Sequence, residues 1–207
     1  FDRGRVGRGM TQAEFKALLL ETLFRPREAA RGLIGFGLPQ QVLWMALGLM
    51  SVLNAIVYSV SLRLAPPMDP STPTLMPPAF HSPLLFTLFL LGALVITVYA
   101  LFWVGGMLGG KATVQDVLVL ICWLQVLRLI LQIAVAVLVL ALPTVAALLI
   151  FVSSVWGIYI LTGFVDAAHR FDNMLKSFGV IIRSIAAMAV GLSILLSLIG
   201  VAAMGGA

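Results

Sequence analysis

The chain has 207 residues, of which 61% are hydrophobic and only 10% are charged, and its formal net charge is +5. Soluble domains carry about a quarter charged residues, so this composition excludes an ordinary water-soluble fold. The positive charge does not indicate nucleic acid, because basic residues gather beside the cytoplasmic face of a membrane. The expected partners are therefore membrane lipids, with no nucleic acid among them.

The N-terminal part of the chain divides into two short regions. Residues 1–9 have three arginines and no apolar period, and we expect a disordered extension or a cloning remnant. Thr11 and Glu14 have the spacing of a capping box, which opens a helix by satisfying its free N–H groups. Residues 10–38 are therefore predicted to form cytoplasmic amphipathic helices beside the membrane.

The remainder, residues 39–207, is predicted to be an all-α, polytopic membrane domain. About twenty apolar residues are needed for one helix to cross the hydrocarbon layer. Proline-rich or polar breaks separate five such runs. The third run is long for one untilted helix and is expected to tilt or bend. The five predicted spans are 42–62, 83–104, 117–142, 144–165 and 180–204.

The distribution of basic residues predicts the orientation of these spans. Residues 1–41, the loop 105–116 and the segment 166–183 together hold eleven lysines and arginines, whereas the opposite side holds only Arg63. By the positive-inside rule, the N-terminus is cytoplasmic, and an odd number of spans places the C-terminus on the other side.

A single charge, Arg128, lies deep within a predicted span. Gln125 and Gln132 lie three residues before it and four residues after it, so they share its helix face, and Asn54 of the first span could join them. One interpretation is a buried site for a lipid head group, an anionic ligand or a partner subunit. The other is that Arg128 bonds neighbouring carbonyls or extends towards the membrane surface. The sequence leaves both open.

Two groups of small residues are candidates for close helix packing. The segment 105–111 nearly matches a phosphate-binding loop, but Ala112 replaces the hydroxyl that would hold magnesium and no strand precedes it. Small residues spaced four apart allow close helix approach or a tight turn. The candidates are Gly105, Gly106, Gly109, Gly110, Ala189, Ser193 and Ser197.

No catalytic set is apparent. Asp166, His169 and Asp172 have a spacing that could place three metal ligands on one side of a helix, but a solvated cytoplasmic turn is the preferred interpretation. His81 lies on the other side of the membrane, so it cannot complete a Ser-His-Asp triad. We therefore expect no metal, no cofactor and no enzymatic activity.

Four sequence blocks resemble the Yip domain family, and its bacterial branch most closely. They are GGKATVQDVL at 109–118, CWLQ at 122–125, LP at 142–143 and LTGFVDAAHRF at 161–171, and the resemblance covers roughly residues 30–204. It implies a five-span helical domain with a cytoplasmic N-terminus. Eukaryotic members are similar to adaptors that bind small Rab-type GTPases in vesicle traffic. We do not transfer that role, because a bacterial cell lacks this traffic.

The sequence thus favours a non-enzymatic protein of the bacterial inner membrane that acts by contact, as a scaffold or an accessory subunit. Its N-terminus would be cytoplasmic and its C-terminus periplasmic. The expected partner is another membrane protein or a second copy, contacted through helices 11–35 and one lipid-facing span. The alternative is a small transporter, channel or lipid-handling protein that uses the polar stripe around Arg128.

Overall fold

A computed structural model describes the backbone of residues 11–64 and 82–204, and the side chains of residues 11–63 and 82–191. Every regular element in these ranges is a helix, which confirms the predicted all-α fold with short N-terminal helices. The helices are α1 (Gln12–Phe24), α2 (Pro26–Gly35), α3 (Gln40–Leu64), α4 (Pro83–Met107), α5 (Val114–Ala141), α6 (Pro143–His169) and α7 (Met174–Met204).

Local sequence determines where these helices begin. Thr11 and Thr113 each form a capping box with the acidic residue three positions later, which satisfies N–H groups that the helix leaves free. Ser82 caps α4, and a proline follows it in the first helical turn. Only Leu142 separates α5 from α6, because Pro143 cannot continue α5 but suits the first turn of a new helix. The two helices therefore form a tight antiparallel hairpin.

Five of the described helices, α3 to α7, are long and apolar enough to cross a membrane, which confirms the predicted number of spans. With 28 residues, α5 is about 42 Å long and exceeds the roughly 30 Å of hydrocarbon, so it extends beyond the membrane or tilts within it. Large apolar side chains cover the outside of the bundle. Met45, Leu84 and Phe151 are 75%, 68% and 69% exposed, which suits a surface solvated by lipid.

The densest packing lies at one end of the bundle, which we call the junction end. It comprises α2, the α4–α5 loop and the α6–α7 loop. Residues 117–123 of α5 are all buried there, because α2, α3, α4 and α6 all contact α5. Beyond this segment α5 becomes partly exposed, and Val137 and Leu140 are 64% and 63% exposed.

The expectation of a solvated turn at Asp166, His169 and Asp172 is wrong for the first two of these residues. Helix α6 continues to His169 and α7 already begins at Met174, so only four residues lie outside helices. Asp166 and His169 are each 1% exposed. They are buried because the last turn of α6 is packed against α2, α7 and the α4–α5 loop. Residues 1–9 and the side chains of Ser193 and Ser197 lie outside the described parts.

Candidate contact site

A buried ion pair joins three elements at the junction end. Arg27 Nε lies 2.8 Å from Asp166 Oδ2, and the exposed fractions of the two side chains are 35% and 0%. The other carboxylate oxygen, Oδ1, accepts a hydrogen bond from the Asn173 backbone N–H and another from the Ser177 hydroxyl, both at 2.9 Å. Asp166 therefore holds α2, the end of α6 and the start of α7 together.

The close approach of α2 to α6 explains why this pair forms. A Cβ atom on Gly163 would lie 2.8 Å from Pro26 Cγ, so only glycine lets the first turn of α2 rest at this distance. Arg27 follows Pro26, and Asp166 lies one turn beyond Gly163. Contact between Pro26 and Gly163 therefore brings Arg27 and Asp166 together.

Two of the four predicted packing glycines enclose a histidine. His169 is 1% exposed, and a Cβ atom on either Gly105 or Gly110 would overlap its imidazole ring. The Gly110 N–H donates to the Gly105 carbonyl at 2.8 Å, and the Lys111 N–H donates to the His169 carbonyl at 3.1 Å. These bonds close the α4–α5 loop around the ring.

The other two glycines of this loop have different environments. A Cβ atom on Gly106 would find no atom within 4 Å, and one on Gly109 would meet only Lys176 Nζ at 3.9 Å. Gly109 has φ +81°, a conformation that glycine adopts without strain. The close contacts are therefore spaced five residues apart, not four as in a helix–helix crossing, because the glycines form a turn around a side chain.

The three possible metal ligands of this region do not converge. Asp172 is exposed and lies 3.3 Å from Arg31, whereas Asp166 is buried against Arg27. Among the described residues, no group of three His, Cys, Asp or Glu side chains could hold a metal ion.

The predicted polar stripe is divided between the inside and the outside of the bundle. Asn54 and Gln125 are 1% and 6% exposed and meet between α3 and α5. The Asn54 amide donates to the Met50 carbonyl at 2.8 Å and to the Gln125 backbone carbonyl at 3.4 Å. Gln132 is half-buried. Asn54 therefore links two helices by hydrogen bonds, a common use of amides in membranes.

Arg128 differs from this amide pair because its side chain is exposed. No hydrogen bond or ion pair from the described residues reaches its guanidinium group. It lies near the middle of α5, about 20 Å along the helix from each end. The apolar residues on the same helix face, Leu124, Leu131 and Val135, are half-buried. Arg128 is thus a charge on an apolar, membrane-facing surface, and we take this surface as the candidate contact site.

Two cavities lie elsewhere in the bundle. A groove of about 250 Å³ separates α3 from α5 and is lined almost entirely by apolar side chains, among them Ile56, Val60 and Val137. A second space among α4, α5 and α6 measures only about 10 Å³. Neither cavity is lined by Arg128 or by the amides of the predicted stripe.

The N-terminal helices pack on the protein itself. The Trp123 indole N–H donates to the Thr22 hydroxyl at 2.9 Å, and the Trp156 indole N–H donates to the Leu23 carbonyl at 2.9 Å. These bonds fix α1 to α5 and α6. In α2, Ala29 and Ala30 are 0% exposed. The inner face of helices 11–35 is therefore occupied by the bundle, and only their outer face is open to a partner.

The apolar exterior and five membrane-length helices define an all-α, multi-pass integral membrane protein. Residues 20–205 match the Yip1 domain, and the chain belongs to this family. This match confirms the resemblance to the Yip domain family that the sequence blocks indicate. No curated protein and no solved structure matches the chain.

Proposed function

We propose that the chain is a non-enzymatic membrane protein that acts by contact, as a scaffold or an accessory subunit of a membrane complex. The observation that carries the proposal is the exposed guanidinium group of Arg128 in the middle of α5. An arginine at the centre of a bilayer costs about 2.5 to 3.5 kcal/mol on insertion scales, so such residues usually face protein or water. A partner that covers Arg128 removes this cost.

No acidic residue in the described parts of the chain supplies the counter-charge for Arg128. Asp116 lies near the start of α5 and accepts a hydrogen bond from the Thr113 N–H at 2.9 Å. Asp166 lies in the last turn of α6 and is occupied by Arg27. Since these are the two acidic residues of the membrane-length helices, the balancing groups come from another molecule.

The buried polar residues of the junction end support a structural role. Asp166 is paired with Arg27 through Oδ2 and accepts two hydrogen bonds at Oδ1, and glycines enclose the ring of His169, whose two nitrogens have no hydrogen-bond partner among the described residues. A general base needs a lone pair that can reach a substrate. The residues that resemble catalytic groups most closely therefore hold helices together, which supports a protein without enzymatic activity.

We place the protein in the bacterial inner membrane, with the junction end in the cytoplasm. Basic side chains collect at this end, on α2 and on the two loops that close the bundle, among them Arg27, Arg31, Lys111 and Lys176. Arg63 lies in the last turn of α3, at the opposite end of the bundle. The positive-inside rule then gives a cytoplasmic N-terminus and a periplasmic C-terminus.

The lipid-handling alternative has one observation in its favour, which is the groove of about 250 Å³ between α3 and α5. Its apolar lining suits an acyl chain and gives no route for a charged or polar solute. The polar stripe on which the transporter interpretation depends does not line it. We therefore rank this function second.

Photo-crosslinking in intact membranes tests the contact function. A photoreactive residue at position 131 should give one crosslinked product of defined mass, because Leu131 lies one helical turn from Arg128 on the same face of α5. The same residue at position 88 is the matched control, since Leu88 is 57% exposed on another apolar helix, α4. Crosslinks to lipid alone at both positions would show that no protein covers α5.

A further inference from the structure

We infer that the partner covering Arg128 is a different membrane protein, with a carboxylate in a transmembrane helix at the depth of Arg128. This inference rests on the proposed contact function and specifies the chemistry of the partner. The observations that carry it are the position and exposure of Arg128 and the locations of the chain's own acidic residues.

The depth of Arg128 limits which group can balance its charge. It lies about 20 Å along α5 from each helix end, and the phosphates of a bilayer begin beyond a half-thickness of about 15 Å. Backbone carbonyls of a neighbouring transmembrane helix can accept a further hydrogen bond, but they carry no charge that would neutralise the guanidinium group. A carboxylate accepts two parallel hydrogen bonds from a guanidinium group and also neutralises its charge. A carboxylate on a partner helix is therefore the group that fits best.

A second copy of this chain meets the requirement less well. Copies related by an axis along the membrane normal keep each residue at the same depth, so a group of the second copy that meets Arg128 must lie at the depth of Arg128 in its own chain. The sequence has eight acidic residues, and Asp116 is about 18 Å from Arg128 along α5. Asp166 is near the end of α6 and bound to Arg27. The other six lie outside the five spans in the sequence, and Glu21 of α1 comes nearest in depth because the adjacent Thr22 and Leu23 bond Trp123 and Trp156, so the crosslinking experiment must distinguish a second copy.

The surface around Arg128 has the form of a helix contact. Leu124, Leu131 and Val135 lie four residues before, three after and seven after Arg128, and all three are half-exposed. These spacings place them in one row along α5. A partner helix packed along this row would cover apolar side chains above and below a single central charge. This pattern fits one apolar helix with one acidic residue.

Synthetic transmembrane peptides test the inference directly. Three leucine-rich peptides, with a central aspartate, asparagine or leucine, are each titrated against the labelled full-length chain in phosphatidylcholine nanodiscs, with energy transfer as the readout. We expect the aspartate peptide to bind about tenfold or more tightly than the leucine peptide. The asparagine peptide should be intermediate, because it accepts hydrogen bonds without a charge.

Matched arginine variants identify the residue responsible. Arg128→Leu should reduce binding of the aspartate peptide to the level of the leucine peptide. Arg63→Leu should leave it unchanged, because Arg63 is an exposed arginine at the end of α3. Equal binding of the aspartate and leucine peptides, or binding that survives Arg128→Leu, would overturn the inference.

The crosslinking experiment separates this inference from the proposed function. A crosslink from position 131 to a protein that persists in Arg128→Leu, together with no preference for the aspartate peptide, would leave the contact function standing and remove the carboxylate. A crosslink to a second copy would also overturn the inference, because the partner would then not be a different protein. No protein crosslink at all would contradict the contact function itself.

Discussion

Arg27 and Arg128 lie in contrasting parts of the same bundle. Arg27 is at the junction end, where its guanidinium group lies 2.8 Å from a carboxylate with no exposed surface. Arg128 is in the middle of α5, exposed and without a partner among the described residues. The first arginine pairs with a carboxylate of its own chain. The second has no partner of opposite charge among the described residues.

This contrast shows how a membrane protein can separate stability from interaction. Without a hydrophobic drive between helices in lipid, association depends on close packing and polar contacts. The junction end supplies both, through glycine contacts and through the ion pair of Asp166. The half of α5 that lies farther from the junction end has few contacts of this kind, so its surface is available for a partner. Substitutions in one region can be compared with substitutions in the other, or at a neighbouring residue, by their effects on the free energy of unfolding.

The largest effect is expected for Asp166→Ala. The substitution leaves Arg27 without its counter-charge and removes the acceptor of the Asn173 N–H and the Ser177 hydroxyl. Breaking a buried pair costs about 3 to 5 kcal/mol, and we expect the lower end because Arg27 keeps a third of its exposure. Reversible unfolding of the full chain in mixed micelles of a mild detergent and dodecyl sulfate measures the change.

Asp172→Ala is the control for this prediction. Asp172 pairs with Arg31 at 3.3 Å, but their side chains are 76% and 61% exposed. Exposed pairs contribute about 0 to 1 kcal/mol, so the free energy of unfolding should hardly change. Equal losses for the two aspartates would show that burial of Asp166 does not stabilise the bundle.

A smaller but clear effect is expected for Gly105→Ala. The new methyl group would overlap the ring of His169, which is enclosed and has little room to move. Overpacking of this kind costs about 1 to 3 kcal/mol. Gly106→Ala is a matched control in the same helix turn, because nothing lies within 4 Å of its added Cβ. The same unfolding measurement should show a loss of stability for Gly105→Ala but not for Gly106→Ala. Adding His169→Ala to Gly105→Ala should restore the stability.

The sequence predicted the helices well because apolar run length, prolines and capping residues are local signals. Pro143 and the capping box at Thr113 place the boundaries of α5 and α6 closely. The polar contacts were harder to predict. Arg27 and Asp166 are far apart in the chain, and their pairing depends on how closely Pro26 approaches Gly163. No local pattern encodes that distance.

Arg128 shows what can be predicted about a candidate site and what cannot. Its position within a span was evident from sequence, and spacing predicted that Gln125 and Gln132 share its helix face, but Gln125 is buried while Arg128 is exposed. Whether it faces protein or lipid depends on the rotation of α5 against α3, α4 and α6. Packing of residues 117–123 at the junction end determines that rotation, and it leaves Arg128 exposed while Gln125 is buried.

The smallest effect on stability is expected for Arg128→Leu, in contrast to Arg27→Leu. Arg128 is exposed to lipid in the folded chain and remains so when inserted helices separate, so the free energy of unfolding should change by less than about 0.5 kcal/mol. Arg27→Leu leaves the buried Asp166 carboxylate uncompensated and should cost about 2 kcal/mol or more. The micelle titration measures both in the absence of any partner. A comparable loss for Arg128→Leu would mean that its guanidinium group bonds within its own chain, and the contact function would lose the observation that supports it.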